Sequence, residues 1–293
     1  MNCYIAFSLL RKYNSKNQYS PIIFRFTLLE AIIIELRDNM KIYVTIALFV
    51  FSFTAIAQSN RADTIITGIT VSFKYSNSIF PESWRVAPIS VTAEKITSSE
   101  IQRSKAIIVK ALTRYPLAAV AADLKSVYIL KSITFYDVGH GGTNFTDAIY
   151  LANNETEQGY SDLYLEQTFH HEYSSILYRN PPSFIDEDDW KKANIAGFDY
   201  NDPEDGVGAI RNNKSSQDLD TALCKNGFLT QYSLSGIEND INTFAQNIFS
   251  PSPGFWEIAG QYPRISKKVK LLIAFYNKIH PSFTEDYFRK LKN

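Results

Sequence analysis

The chain has 293 residues, of which 45% are hydrophobic and 20% are charged, and its 30 basic and 30 acidic side chains give a formal net charge of zero. This composition is typical of a folded globular protein and excludes wholesale disorder. Balanced charge without a basic stripe predicts no nucleic-acid partner. The two cysteines, Cys3 and Cys224, are too few for a disulfide framework or a cysteine-based zinc site.

The segment 40–57 has the pattern of a secretory signal peptide. Met40 and Lys41 form a basic start, an apolar run follows from Tyr43 to Phe53, and a small-x-small ending places cleavage after Ala57. A membrane anchor is the alternative, but the run is shorter than the ~20 residues that usually span a bilayer. We therefore expect a secreted or periplasmic protein without a stable membrane span. We then expect translation to start at Met40 and residues 1–39 to be an extension of the gene model.

The remaining chain, 58–293, is predicted to form a single domain. Periodicity and breaker residues predict these elements in chain order: a strand at 65–75, a helix at 98–114 ended by Pro116, a short helix at 117–124, a strand at 126–136, a glycine-rich turn at 137–144, a strand at 148–153, a helix at 161–178, and helices at 236–249, 266–279 and 282–291. The polar stretch 180–226 is expected to be a surface excursion or a lid. Its acidic cluster at 186–189 fits a solvated loop better than a Ca²⁺ site.

The helix at 161–178 contains most of a metal-binding motif. In an intact H-E-x-x-H sequence, histidines at i and i+4 lie on one helix face and bind Zn²⁺, and the glutamate activates the metal-bound water. His171 and Glu172 occupy the first two positions, but the second histidine position is Ser175. A neutral hydroxyl is a weak zinc donor and is shorter than an imidazole. His170 does not replace it directly, because adjacent helical residues point about 100° apart.

The order of strand, glycine turn, strand, histidine helix, long loop and acidic helix resembles that of the zincin metallopeptidases. The resemblance is to the gluzincin-like putative zinc-binding metallopeptidases of Bacteroidota envelopes and covers about residues 95–293. It implies an α+β, zincin-like fold, in which a small mixed sheet adjoins an active-site helix and a helical C-terminal half. It also implies that the strand at 148–153 lies at the sheet edge and pairs with extended substrate.

The same resemblance implies a third metal ligand, a glutamate on a later helix. By position this is Glu238, with Asp240 and His170 as alternates. The implied function is a secreted or periplasmic zinc metallopeptidase, in which His171 and Glu238 hold Zn²⁺ with an unidentified group. Glu172 would be the catalytic base that activates water against a peptide carbonyl.

Ser175 supports a second hypothesis, because a site with one histidine and one carboxylate binds metal weakly or not at all. The protein would then be an inactive pseudopeptidase whose cleft binds a peptide or a protein partner. A third hypothesis is a structural envelope protein without a cleft function. Convergence of His171, Glu172 and Glu238 on one water-accessible point, together with an extra His or Asp, would favour the enzyme.

Overall fold

The structure, a computed structural model, describes residues 63–66, 68–180, 185–200 and 206–291. The predicted signal peptide and the first residues of the predicted domain lie outside these ranges. In the described part of the chain, no helix is both long enough and apolar enough to cross a membrane.

Seven strands form one mixed sheet, in agreement with the mixed α/β class expected from the sequence. They are β1 (Asp63–Ile66), β2 (Ile69–Ser72), β3 (Thr92–Lys95), β4 (Ser126–Phe135), β5 (Val138–His140), β6 (Gly142–Phe145) and β7 (Ala148–Ala152). The order is β1-β2-β4-β7-β6, and β3 and β5 also pair with β4. Strand β4 runs parallel to β2 and β7, whereas the other pairs are antiparallel.

Ten α-helices accompany the sheet in the described ranges. They are α1 (Glu100–Thr113), α2 (Leu117–Asp123), α3 (Asp162–Arg179), α4 (Glu187–Lys191), α5 (Val207–Arg211), α6 (Thr221–Cys224), α7 (Ile237–Phe249), α8 (Phe255–Gln261), α9 (Pro263–Ile279) and α10 (Glu285–Lys290). The Ser161 hydroxyl accepts a hydrogen bond from the Tyr164 amide, which caps the start of α3 close to the predicted position. Thr284 caps α10 in the same way.

Several elements differ from the sequence prediction. The strand expected at 65–75 is a hairpin of β1 and β2, because Gly68 adopts a φ of 89° between them. The glycine-rich segment 137–144, expected to be a turn, forms β5 and β6, since pairing with β4 and β7 outweighs the low strand propensity of glycine. The excursion after α3 contains the short helices α4, α5 and α6, and α8 was not predicted.

Strand β7 lies inside the sheet, so the expectation that 148–153 forms its edge is wrong. It pairs with β4 on one side and with β6 on the other. All five of its residues are buried, with Ile149 and Leu151 in the larger apolar cluster and Tyr150 in the smaller one. A continuous apolar run of this kind is typical of a strand covered on both faces. The edge on this side is β6, directly above α3.

Helices α3 and α7 pack against each other on one face of the sheet and carry the residues of interest. Their apolar positions join the larger core cluster, for example Phe169 and Tyr173 of α3 and Ile241 and Phe244 of α7. Along the same contact, α7 also buries polar side chains, among them Asn242 and Gln246. Buried polar groups are costly unless they are hydrogen-bonded, so this part of the contact is specified by its polar pairs.

Candidate functional site

A cleft runs between the β5–β6 edge of the sheet and helices α3 and α7. It consists of two neighbouring cavities of about 620 Å³ and about 280 Å³. Both cavities are lined by His140, Gly142, His171, Glu172 and Tyr232. The two motif residues therefore lie where the cavities meet.

Gly142 of β6 and Gly141, which precedes this strand, bring the strand into direct contact with α3. A Cβ at Gly142 would lie 2.6 Å from Cγ2 of Thr168 and 2.9 Å from Oε1 of Glu172, and one at Gly141 would meet the Tyr164 hydroxyl. No side chain fits between strand and helix at these positions. The close approach places the carboxyl group of Glu172 beside the backbone of the edge strand.

His171 is buried and is held by a single side chain of α7. Its Nδ1 lies 2.9 Å from Oε1 of Gln246, whose amide nitrogen donates to Oε1 of Gln217. This arrangement makes Nδ1 the protonated nitrogen and leaves Nε2 as an acceptor without a partner among the described residues. Burial lowers the pKa of His171 to about 4, against the opposing effect of the Gln246 hydrogen bond. The imidazole is therefore neutral at physiological pH.

Ser175, one turn along α3, makes a second contact with α7. The amide nitrogen of Asn242 donates a 2.6 Å hydrogen bond to its hydroxyl oxygen. His171 thus pairs with Gln246, and Ser175 pairs with Asn242. The two residues on each helix are four positions apart. Oδ1 of Asn242 is buried and has no hydrogen-bond partner among the described residues.

Glu172 belongs to a chain of polar contacts that leads out of the cleft. Asn144 of β6 donates to its Oε2 at 2.6 Å, Arg179 donates to Oδ1 of Asn144, and Arg179 also pairs with Glu238 at 3.2 Å. Burial raises the pKa of Glu172 to about 7; the Asn144 hydrogen bond and Arg179 oppose this rise, and the charge of Glu238 adds to it.

Of the predicted site residues, three line one cavity. His171, Glu172 and Glu238 all border the smaller cavity. Glu238 lies in the first turn of α7 and its carboxylate is engaged by Arg179. The cleft therefore brings these three residues together, and His140 borders the same cavity. Arg179 pairs with Glu238, the acidic residue that was expected to bind metal, and Nδ1 of His140 lies 2.8 Å from the Val138 carbonyl oxygen.

The two alternate ligands lie in the core, away from both cavities. Asp240 is fully buried and accepts hydrogen bonds from Lys268 at 2.5 Å, Trp190 at 2.8 Å and Tyr200 at 2.6 Å. Its carboxylate is the counter-charge of a buried lysine, which is a structural role.

His170 is also fully buried and points to the opposite side of α3 from the cleft. Its Nδ1 bonds to the Tyr115 hydroxyl at 2.8 Å, and its Nε2 lies 3.9 Å from Glu166. Its ring stacks on Phe249 at a centroid distance of 4.9 Å. The angular separation of neighbouring helical residues thus places His170 in the core, as expected from helix geometry.

The donor groups at the centre of the cleft do not fit Zn²⁺. Catalytic zinc sites have three protein ligands drawn from imidazole, thiolate and carboxylate. Here the facing helices provide the imidazole of His171, the hydroxyl of Ser175 and the amide of Asn242. The hydroxyl and the amide are hydrogen-bonded to each other. Across the described ranges, no group of three or more His, Cys, Asp or Glu residues is arranged to hold a metal ion.

Four residues of the site were not identified from the sequence: Asn144, Arg179, Asn242 and Gln246. The two on α7 carried only a weak signal: Asn242 and Gln246 lie four residues apart, as His171 and Ser175 do, but α7 contains several other polar residues. Asn144 and Arg179 carried none, since their contacts depend on how β6 and α3 meet in three dimensions.

The comparisons with known proteins give one structural likeness. No protein-family model matches the chain, and no curated protein matches it. A solved structure described as a putative zinc-binding metallo-peptidase from Bacteroides caccae ATCC 43185 is similar, with a TM-score of 0.46 and 19% sequence identity, over 68% of this chain and 77% of that chain. With so low a TM-score, the likeness carries no argument about function, which rests on the side chains described above.

Proposed function

We propose that this protein is a pseudopeptidase that binds an extended peptide segment in its cleft and does not hydrolyse it. The observation that carries the proposal is the hydrogen bond between Asn242 and Ser175. Ser175 stands at the second histidine position of the motif, and its hydroxyl accepts a hydrogen bond from a neutral amide of the facing helix. Of the sequence-based hypotheses, this arrangement favours the inactive binding protein over the zinc metallopeptidase.

The backbone of β6 offers the means of binding. The Ala152 amide donates to the Gly141 carbonyl at 2.8 Å, which identifies this opposed pair as hydrogen-bonded. In an antiparallel pair such positions alternate, so the N–H and C=O groups of Gly142 and Asn144 point away from β7. Among the described strands none pairs with this outer side of β6. A peptide that added itself here as a further strand would gain main-chain hydrogen bonds beside the cleft.

The described part of the cleft contains a base for peptide hydrolysis but lacks the group that would stabilise the charge formed in the reaction. With a pKa of about 7, Glu172 is suited to accept a proton from water near neutral pH. The attack also requires stabilisation of the charge that develops on the peptide carbonyl oxygen. The neutral hydroxyl and amide of Ser175 and Asn242 are poor ligands for a metal ion that would stabilise that charge. We therefore expect a bound peptide to remain intact.

Blocked pentapeptides of the form Ac-Ala-Ala-Xaa-Ala-Ala-NH2, with Xaa varied, test this function. We expect binding in the micromolar to millimolar range, together with slower hydrogen exchange at the Gly142 and Asn144 amides and no cleavage by mass spectrometry. Peptides N-methylated at every backbone amide are the matched control and should not protect these amides. Cleavage that is lost with Glu172→Gln would establish the peptidase instead, and absence of binding by every peptide would reject the proposal.

The location of the protein follows from the signal-peptide pattern and stays a prediction. A secreted or periplasmic protein would meet peptides and protein segments of the cell envelope. Mass spectrometry of the native protein is expected to find its N-terminus just after Ala57, whereas peptides from residues 1–39 would contradict both the processing site and the predicted translation start.

A further inference from the structure

We infer that the peptide segment bound in this cleft carries a basic side chain, lysine or arginine, at the junction of the two cavities. The inference rests on the proposed function and names the chemical class of its ligand. It follows from the acceptor atoms, the charges and the aromatic rings that line the cleft.

The first observation is a pair of buried acceptor atoms that lack donors. His171 is 7% exposed and Glu172 is 8% exposed, and both line the two cavities. Nε2 of His171 has no hydrogen-bond partner among the described residues, because Gln246 holds the other ring nitrogen. Asn144 bonds to Oε2 of Glu172 and leaves Oε1 beside Gly142. A ligand that satisfies both atoms must be a hydrogen-bond donor.

The second observation is an excess of negative charge. The acidic side chains lining the cavities are Glu172, which is partly ionised near neutral pH, Asp218 and Glu238, and the described lining residues include one guanidinium, that of Arg179. This guanidinium is already engaged by Glu238 and by the Asn144 side chain. Burial lowers the pKa values of the lining histidines, which keeps them neutral. The cleft thus complements a cation, although the whole chain carries no net charge.

The third observation is an aromatic wall along the smaller cavity. Trp84 and Tyr136 both line it. The Trp84 ring is fixed edge-on against Phe135 and Phe145, at centroid distances of 5.1 Å and 5.3 Å. The aliphatic stem of a lysine or arginine packs well on such rings, and its charged end is attracted to their faces. A carboxylate side chain would instead meet the acceptor atoms of His171 and Glu172 and the carboxylate of Glu238.

The inference is tested by titrating the protein with two of these pentapeptides. One has lysine and the other has norleucine as its central residue. The two side chains have similar stems and differ in the ammonium group. We expect the lysine peptide to bind about tenfold more tightly, since a charge-assisted hydrogen bond contributes about that factor. Glu172→Gln should remove most of this preference, Glu238→Gln should reduce it about threefold, and Glu285→Gln, on the distant surface pair with Arg289, should leave it unchanged.

The outcomes separate this inference from the proposed function. Equal binding of the lysine and norleucine peptides, or tighter binding of a peptide with a central aspartate, would overturn the inference and leave the peptide-binding function standing. Absence of binding by every peptide would overturn both. If Glu172→Gln unfolds the protein, the Glu238→Gln variant still decides, because its carboxylate lies at the surface end of the polar chain.

Discussion

The side-chain amide of Asn242 donates a 2.6 Å hydrogen bond to the hydroxyl of Ser175, across the contact between α7 and α3. One turn away, Gln246 and His171 make the corresponding contact at 2.9 Å. Each pair gives one hydrogen bond between neutral side chains of the two helices. They explain how a helix that carries part of a zinc motif packs stably once the second histidine position is a serine.

The contact between β6 and α3 predicts that Gly142→Ala is destabilising and weakens peptide binding. The new methyl group would lie 2.6 Å from Thr168 and 2.9 Å from the Glu172 carboxyl, so the edge strand must move away from the helix. We expect a loss of about 1–3 kcal/mol in the free energy of unfolding, measured by urea denaturation.

Gly260→Ala is the matched control for that substitution. A Cβ at Gly260 meets no atom within 4 Å, and the residue lies in α8, where alanine is the better helix former. It should leave peptide binding unchanged and stabilise the protein slightly. Equal effects of the two substitutions would contradict the close approach of β6 to α3.

The buried ion pair predicts that Asp240 stabilises the fold and has no part in ligand binding. Asp240→Asn leaves the ammonium group of Lys268 without a counter-charge among the rings of Trp190, Phe228 and Phe244. We expect a loss of about 3–5 kcal/mol in the free energy of unfolding.

The double variant Asp240→Asn with Lys268→Met is the control for this prediction. It removes the uncompensated charge and should recover much of the lost stability, because an apolar side chain suits these rings better than an unpaired cation. A stable Asp240→Asn single variant with weakened peptide binding would show that Asp240 belongs to the cleft after all.

The packing of α3 on α1 predicts a loss of stability in acid through Glu166. Burial would raise its pKa, but His170, Lys110 and Arg114 outweigh burial and lower the pKa to about 2. A carboxylate with a lowered pKa stabilises the fold above its unfolded value of 4.5, and this stabilisation is lost as the pH falls from 4.5 towards 2. Its size is up to about 3 kcal/mol.

Glu166→Gln should therefore lower stability at pH 7 and flatten the decline between pH 4.5 and pH 2, as measured by urea denaturation across this range. Glu285→Gln, which removes an exposed ion pair with Arg289, should leave both unchanged. If the stability of the Glu166→Gln variant declines in acid as steeply as that of the natural protein, groups other than Glu166 govern the decline.

The sequence predicted the regular elements well where one face of the element is apolar and its ends are marked. Helix α3 is an example, because Ser161 caps its start and its periodic residues continue for the whole length. The position of β7 was predicted but its neighbours were not, since strand pairing depends on distant segments. Gly142 of β6 was expected in a turn because its strand conformation is stabilised by tertiary contacts.

The contacts of the candidate site also depend on distant segments, so they could be predicted only in part from the sequence. The motif fragment pointed to His171 and Glu172, which line both cavities, and their roles stay predictions. The alternates Asp240 and His170 were plausible by spacing along the chain, but their side chains face buried partners on other helices. Asn242 was overlooked because α7 contains several buried polar residues, and only the contact with Ser175 on the neighbouring helix distinguishes Asn242 from them.

The most direct test of whether the site lacks a metal compares zinc binding by the natural protein with zinc binding by a variant that carries Ser175→His and Asn242→Glu. The two substitutions place an imidazole and a carboxylate where the hydroxyl and the amide now meet, next to His171, whose Nε2 has no partner among the described residues. Adding His171→Ala to this double variant provides the matched control.

By isothermal titration calorimetry we expect no zinc binding by the natural protein, one zinc per chain in the double variant, and loss of that zinc on adding His171→Ala. Tight binding of one zinc by the natural protein, abolished by His171→Ala, would contradict the pseudopeptidase proposal and restore the metallopeptidase hypothesis.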